Sequence, residues 1–481
     1  MLFNSLDFAI FLPIVLAIYW LTTRWGIRFQ NLFLVMASYV FYGWWDVRFL
    51  GLILFSSCLD YAIGIGLSRT NAPHQRKRYL WLSISVNLGL LGVFKYYNFF
   101  IENFNATFSV FGSSFELSSL QLILPVGISF YTFQTLSYSI DVYKKKLKAT
   151  RDFISFLAYV SFFPQLVAGP IERATHLLPQ FQSPRSIDTT AVQAGLRQML
   201  WGFFKKLVIA DNCATYANMV FNDAGPWNGS TQLLGAFMFA FQIYGDFSGY
   251  SDIAIGTARL FGFDLMKNFA FPYFSRDIAE FWRRWHISLT TWFRDYLYIP
   301  LGGSQGGLSQ KVRNIFIIFL VSGFWHGANW TFLVWGALNA IYFLPLLLIG
   351  KNRAHLDTVA KNSLFPSATE SFKMALTFGL TLIAWIFFRA ENLTQAMACL
   401  GQIFSISLLH PVQIHPGKFC VILFFFIGVE WLNRNKSYGL APWTPKTKYA
   451  PYLDFALLCA VFWMVVLWNT NTAVEFIYFQ F

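Results

Sequence analysis

From Asn314 to Gly336 the chain reads NIFIIFLVSGFWHGANWTFLVWG, an apolar segment of membrane length whose one titratable side chain is His326. Placing an imidazole beyond the reach of bulk water costs about 1–3 kcal/mol unless protein groups satisfy it. A histidine at such a position is therefore either a functional group or a polar contact to a neighbouring helix. A second dense stretch, residues 276–296, sets Asp277, Glu280, Arg283, Arg284, His286, Arg294 and Asp295 among aromatic residues. Its composition suits an amphipathic helix solvated on the cytoplasmic surface. It also suits the polar wall or mouth of a cavity, with His286 at the inner edge and the basic residues facing an anionic donor.

Other polar groups interrupt apolar runs. FQIYGDFSGYSDIAIG (241–256) carries Asp246 and Asp252, with Gly245, Gly249 and Gly256 allowing close helix contact. Buried carboxylates there need partners, which the arginines of 276–294 are placed to supply, so a structural ion-pair role is favoured over catalysis. In FFPQLVAGPIER (162–173), Pro164, Gly169 and Pro170 break the run and predict a re-entrant turn with Glu172 and Arg173 at its polar end. His74, His176, His355, His410 and His415 fall in polar or loop contexts and read as solvated. There is no GxSxG, P-loop or HExxH motif, and Cys58, Cys213, Cys399, Cys420 and Cys459 form no CxxC pair, so neither a metal site nor disulfides are expected.

The elements that must position these groups are membrane helices. Of 481 residues, 56% are hydrophobic and only 12% are charged, a balance outside the soluble range. The net charge of +13 gathers at segment ends, which points to topology and anionic lipid and away from nucleic acid. Apolar runs near 6–23, 29–45, 49–67, 79–101, 119–141, 153–170, 195–220, 232–260, 313–331, 332–349, 372–389, 418–433 and 453–470 include several that are short or broken. The expectation is an all-α polytopic protein of about eleven to twelve transmembrane helices, plus re-entrant and cytoplasm-facing helices. The first run lacks a basic n-region and a cleavage site and is expected to be retained. Basic loops at 24–28, 69–78, 144–151, 351–355 and 433–448 are assigned to the cytoplasm, which puts both termini outside. No period of 20–50 residues repeats, which counts against an inverted-repeat transporter.

FWRRWHISLTTWFRDYLYIPLGG (281–303) and SGFWHGANWTFLVWG (322–336) together resemble the membrane-bound O-acyltransferase family. GISFYTFQTLSYSIDVY (127–143), FFPQLVAGPI (162–171) and YGDFSGYSDIAIG (244–256) resemble further signatures of its bacterial branch, which acetylates alginate and peptidoglycan and transfers D-alanine to teichoic acids. The resemblance covers nearly the whole chain, in order. It implies a single domain around a central tunnel, with N-terminal helices (1–118), a core (119–350), C-terminal helices (351–475) and an aromatic end (476–481). His326 matches the catalytic histidine and His286 the second one toward the cytoplasm. Arg283, Arg284, Arg294, Asp295, Asp246 and Asn329 become polar residues of the tunnel or its donor side. A histidine, with an unperturbed pKa of about 6.5, suits the base that acyl transfer from a thioester to a hydroxyl requires.

The resemblance further implies a bacterial inner-membrane O-acyltransferase, an O-acetyltransferase by preference, with no bound cofactor. Acetyl-coenzyme A or an acyl carrier thioester would be the donor, a polysaccharide or cell-wall glycan the indirect acceptor, and an extracytoplasmic SGNH-hydrolase-type protein the partner. The last six residues, FIYFQF, resemble the F-x-Y-x-x-F ending of related acyl-transfer systems. Tyr478 is then either an interfacial anchor or an acyl relay whose phenol carries the group as an aryl ester. Two other classes compete: a polymer or proton-coupled transporter with a histidine relay, and a scaffold that assembles a secretion complex.

Overall fold

The computed structural model describes residues 1–110, 117–120, 122–223, 225–442, 449–468 and 476–477, and among them there are helices, turns and loops but no strand. The protein is a polytopic all-helical membrane protein. Six of its described helices are long and apolar enough to cross a membrane: Leu6–Trp25, Arg48–Arg69, Pro73–Ser109, Trp330–Leu348, Ala368–Arg389 and Ala450–Leu467. The other apolar runs fold into shorter or more polar helices. By contacts the chain forms two units, Met1–Thr189 with Ala258–Met266, and Thr190–Thr257 with Lys267–Phe481.

The first unit contains α1 (Leu6–Leu21), α2 (Ile27–Gly43), α3 (Arg48–Arg69), α4 (Pro73–Leu91), α5 (Tyr97–Val110), α6 (Ile128–Tyr143), α7 (Phe153–Ser161), α8 (Phe163–Leu166) and α9 (Ala174–Phe181). Polar side chains join α3, α4 and α6. Asp60 accepts hydrogen bonds from Ser83 at 2.5 Å, Asn87 at 2.7 Å and Ser139 at 2.6 Å, all buried. Arg76, in the first turn of α4, donates to the carbonyls of Leu67, Val142 and Tyr143 and so satisfies the orphan acceptors at the ends of α3 and α6. Over 162–173 the helix is interrupted where Pro164, Gly169 and Pro170 predicted: the chain breaks at Phe162, forms one turn, and is non-helical from Pro170 to Arg173 while wholly buried.

The second unit contains α10 (Thr189–Phe203), α11 (Asp211–Asn222), α12 (Gly229–Leu260, whose last three residues belong to the first unit), α13 (Ile278–Arg284), α14 (Ile287–Phe293), α15 (Leu308–His326), α16 (Trp330–Leu348), α17 (Ala368–Arg389), α18 (Leu393–Ile403), α19 (Phe419–Leu432) and α20 (Ala450–Leu467). A π-helical stretch, Phe204–Ala210, joins α10 to α11. The glycines of the 241–256 motif make the close contacts their spacing implied. A Cβ at Gly249 would stand 2.8 Å from the Gly202 carbonyl, and one at Gly245 would stand 2.9 Å from that of Lys205.

The solvated amphipathic helix expected over 276–296 does not form. The segment is two short helices and a π turn, broken at His286, and Ile278, Glu280, Trp282 and His286 are buried. The charges are compatible with burial because they pair. Arg276 meets Glu280 at 3.0 Å and Asp357 at 2.8 Å, and Arg284 meets Glu280 at 2.8 Å.

Candidate active site

The two histidines singled out by sequence come together inside the second unit. His326 ends α15, and Gly327 leaves the helix in an extended conformation. The turn into α16 is fixed by Asn329, whose side chain accepts from the Thr331 N–H at 3.0 Å and donates to the Glu391 carbonyl at 2.9 Å. The α15–α16 hairpin closes because Gly323 and Gly336 carry no side chain. A Cβ at Gly323 would collide with the Phe332 carbonyl, and one at Gly336 with that of Phe319. Backbones in such contact hold His326 on a rigid support.

His286 is placed differently. It sits between α13 and α14 with φ 43° and ψ 55°, a left-handed conformation that costs a residue with a Cβ about 1–2 kcal/mol. Strain of this kind persists where the surroundings fix it and clusters at functional sites. Its ring packs edge-on to Phe247 at 4.6 Å, and its centroid lies 6.4 Å from that of His326. After the reach of both rings is subtracted, that gap exceeds a hydrogen bond. His326 is walled by Trp335 at 5.2 Å and Phe388 at 5.3 Å, with Trp385 next to both. Only 1% of His286 and 5% of His326 is exposed. A buried imidazole pair among aromatic rings suits proton transfer to or from a hydroxyl.

The basic residues of 276–296 serve the fold around this pair. Arg283 donates to the carbonyls of Asn352 and His355 at 2.8 Å each, and Arg284 donates to those of Ala270 and Asp357. Both guanidinium groups thus tie the 351–357 loop or its neighbourhood to α13. Arg294, with a side chain 60% exposed, pairs with Asp295 at 2.7 Å.

Asp246 and Asp252 have partners other than those expected. Lys206 Nζ lies 3.0 Å from Asp246 and 2.7 Å from Asp211, and Lys205 Nζ lies 2.5 Å from Asp252. The expected arginines are committed to Glu280, Asp357 and loop carbonyls. Lysines of the π stretch supply the partners instead, and both of these sequence neighbours are buried against α12. Nothing in the hydrophobic pattern of 195–220 signals that stretch. Beside Lys205, Tyr244 donates to both oxygens of Glu430 at 2.9 Å. A cavity of about 20 Å³ lies among Lys205, Asp252, Lys267, Asn268 and Glu430, room for one water molecule. A larger, mainly aromatic cleft of about 330 Å³ lies between α12, α17 and α19.

The C-terminal end reaches this region. Phe476 packs on Tyr250 at 4.9 Å and lies 6.3 Å from Phe247, and the Ile477 N–H donates to Asp246 at 2.7 Å. Tyr478 lies outside the described residues. Among those described, no three His, Cys, Asp or Glu residues form a cluster able to hold a metal.

Sequence reasoning missed the cage residues Trp335, Trp385 and Phe388, because an aromatic wall and a lipid anchor look alike along a helix. His176, a residue of the first unit, is partly solvated as expected, with 37% of its side chain exposed, but it also has partners that its context did not name: the ring hydrogen-bonds Glu172 at 2.8 Å and lies 3.8 Å from Asp264. The carboxylates of Asp264 and Glu172 raise its pKa to about 10. The signal was Glu172 at i−4, on the end of the interrupted segment.

The second unit of this all-helical membrane protein thus holds two buried histidines among aromatic rings. The membrane-bound O-acyltransferase family model matches residues 142–387. The chain is 40% identical over 454 residues to the probable alginate O-acetylase AlgI of Pseudomonas putida, covering 93% of this chain and 90% of that one. It is 43% identical to the protein of the same name in Pseudomonas aeruginosa, covering 84% and 75%. It is 35% identical to the peptidoglycan O-acetyltransferase of Helicobacter pylori, covering 83% and 79%. The chain belongs to the membrane-bound O-acyltransferase family and is an acyltransferase.

Proposed function

We propose that this chain is an inner-membrane O-acetyltransferase that moves an acetyl group from a cytoplasmic thioester to the extracytoplasmic side, for O-acetylation of an exopolysaccharide. Alginate is the acceptor suggested by the names of its relatives. The observation that carries the reading is the pair of buried imidazoles 6.4 Å apart in an aromatic cage. In this scheme His326 takes the proton of the accepting hydroxyl as its oxygen attacks the thioester carbonyl. The new C–O bond forms, the C–S bond breaks, and the thiol leaves with a proton. His286 orients the donor or passes that proton on.

Acetyl-coenzyme A and an acyl carrier protein both suit the basic loops assigned to the cytoplasm. Asp246, Asn329, Arg283 and Arg284 act as positioning residues, since each holds a loop, a helix end or another charge, and the exposed Arg294–Asp295 pair belongs to the donor side. Tyr478 is the first acceptor; its aryl ester has a good leaving group, and an SGNH-hydrolase-type partner outside completes the transfer. Purified His326→Ala protein is expected to fold with the wild-type unfolding midpoint and to lose at least about 100-fold in acyl transfer. Wild-type transfer by the folded variant would overturn the reading. A normal acyl-enzyme mass in Tyr478→Phe, with normal polymer acetylation, would remove Tyr478 from it.

A further inference from the structure

We infer that Asp246 is the anchor for the C-terminal end of the chain, a backbone receptor that holds residues 476–477 beside His286. The tail is docked at two levels. Through its side chain, Phe476 is 3% exposed and lies against Tyr250 and Phe247, and Phe247 in turn packs edge-on to His286. Through its backbone, the buried Ile477 N–H donates to Asp246 Oδ2 at 2.7 Å, and Ile477 is 2% exposed. Asp246 receives Lys206 on its other oxygen, and Lys206 is shared with Asp211. One oxygen is thereby turned to the lysine and the other to the tail.

The chemistry is that of a carboxylate reading a peptide N–H, so it is indifferent to the side chain at 477 and demanding about the backbone. A buried N–H without an acceptor is unfavourable, so the tail leaves this place only if Asp246 or the packing of Phe476 is lost. Asp246 is then a positioning residue, holding the chain at 476–477, where Phe476 lies against Phe247 and Phe247 packs on His286. Its bearing on acyl transfer rests on the relay reading of Tyr478; the docking itself does not.

Hydrogen exchange of the full-length protein in detergent, read by mass spectrometry on the C-terminal peptide, tests the docking. The Ile477 amide is expected to be protected in the wild type, to exchange at least about tenfold faster in Asp246→Ala, and to keep most of its protection in Asp246→Asn, which retains an acceptor oxygen. Phe476→Ala, which leaves the ion pairs intact, is expected to release the same amide and serves where Asp246→Ala does not fold. Protection of α12 and α16 reports on folding in each case. Wild-type exchange at Ile477 in either folded variant overturns the anchor, as does Asp246→Asn releasing the tail as fully as Asp246→Ala. Released tails with undiminished acyl transfer leave the anchor standing and remove the Tyr478 relay.

Discussion

At the scale of single residues, His286 combines a buried place near His326 with a strained backbone. A Cβ at φ 43° is penalised and a glycine is not, so His286→Gly is expected to be about 1 kcal/mol more stable than His286→Ala, with both impaired in acyl transfer. Thermal unfolding midpoints in detergent measure the difference. His176 gives a prediction in pH. Asp264 and Glu172 flank it, and Arg259 acts on Asp264. Its folded pKa, raised to about 10, exceeds the unfolded value of about 6.5. The stabilisation is therefore complete below about pH 6.5, shrinks as the unfolded state alone loses its proton, and is gone once pH passes about 10. His176→Gln is expected to flatten the fall in unfolding midpoint across that window. The effect is modest, because 37% of the imidazole is exposed and screened by solvent.

At the scale of elements, the site depends on how closely helices approach. The α15–α16 hairpin has glycine at both crossing points, and a side chain there must push the Phe332 carbonyl away. Gly323→Val is expected to cost about 1–3 kcal/mol and to displace His326, with transfer falling more than stability alone explains. Parallel measurement of unfolding midpoint and turnover separates the two effects. The π stretch Phe204–Ala210 matters for a different reason. It carries two adjacent lysines that pair with Asp252 and Asp246 on α12. The α13–α14 break has the same character: a continuous amphipathic helix was the simpler reading of 276–296, and paired charges with a left-handed His286 made a buried corner instead.

At the scale of the whole molecule, the proposed work is vectorial: the donor is consumed on one side and the acyl group appears on the other. Proteoliposomes holding the chain are expected to release free thiol from an external thioester donor only when the cytoplasmic face is outward. His326→Ala should abolish that release, and no ionic current should accompany it. Thiol release and current recorded on the same vesicles check this and separate an acyltransferase from a proton-coupled transporter.

By itself the sequence determined the all-helical membrane class, because backbone polar groups in lipid leave helices as the economical answer for apolar runs of this length. It also determined the histidine pair and the family, because His326 and His286 stand in motifs whose residue types are costly at membrane depth. The close-contact role of Gly245 and Gly249 and the helix break around Pro164 were legible for the same reason: each is a local requirement written in residue type. Only the tertiary structure decided which charges pair. Asp246 had arginines and lysines available at similar cost along the chain, and Lys206, its partner, lies on a π stretch that no hydrophobic period encodes. Long-range contacts likewise decided the aromatic cage, the approach of Asp264 to His176, and the docking of Ile477 on Asp246, since each joins residues whose separation in sequence carries no information about distance in space.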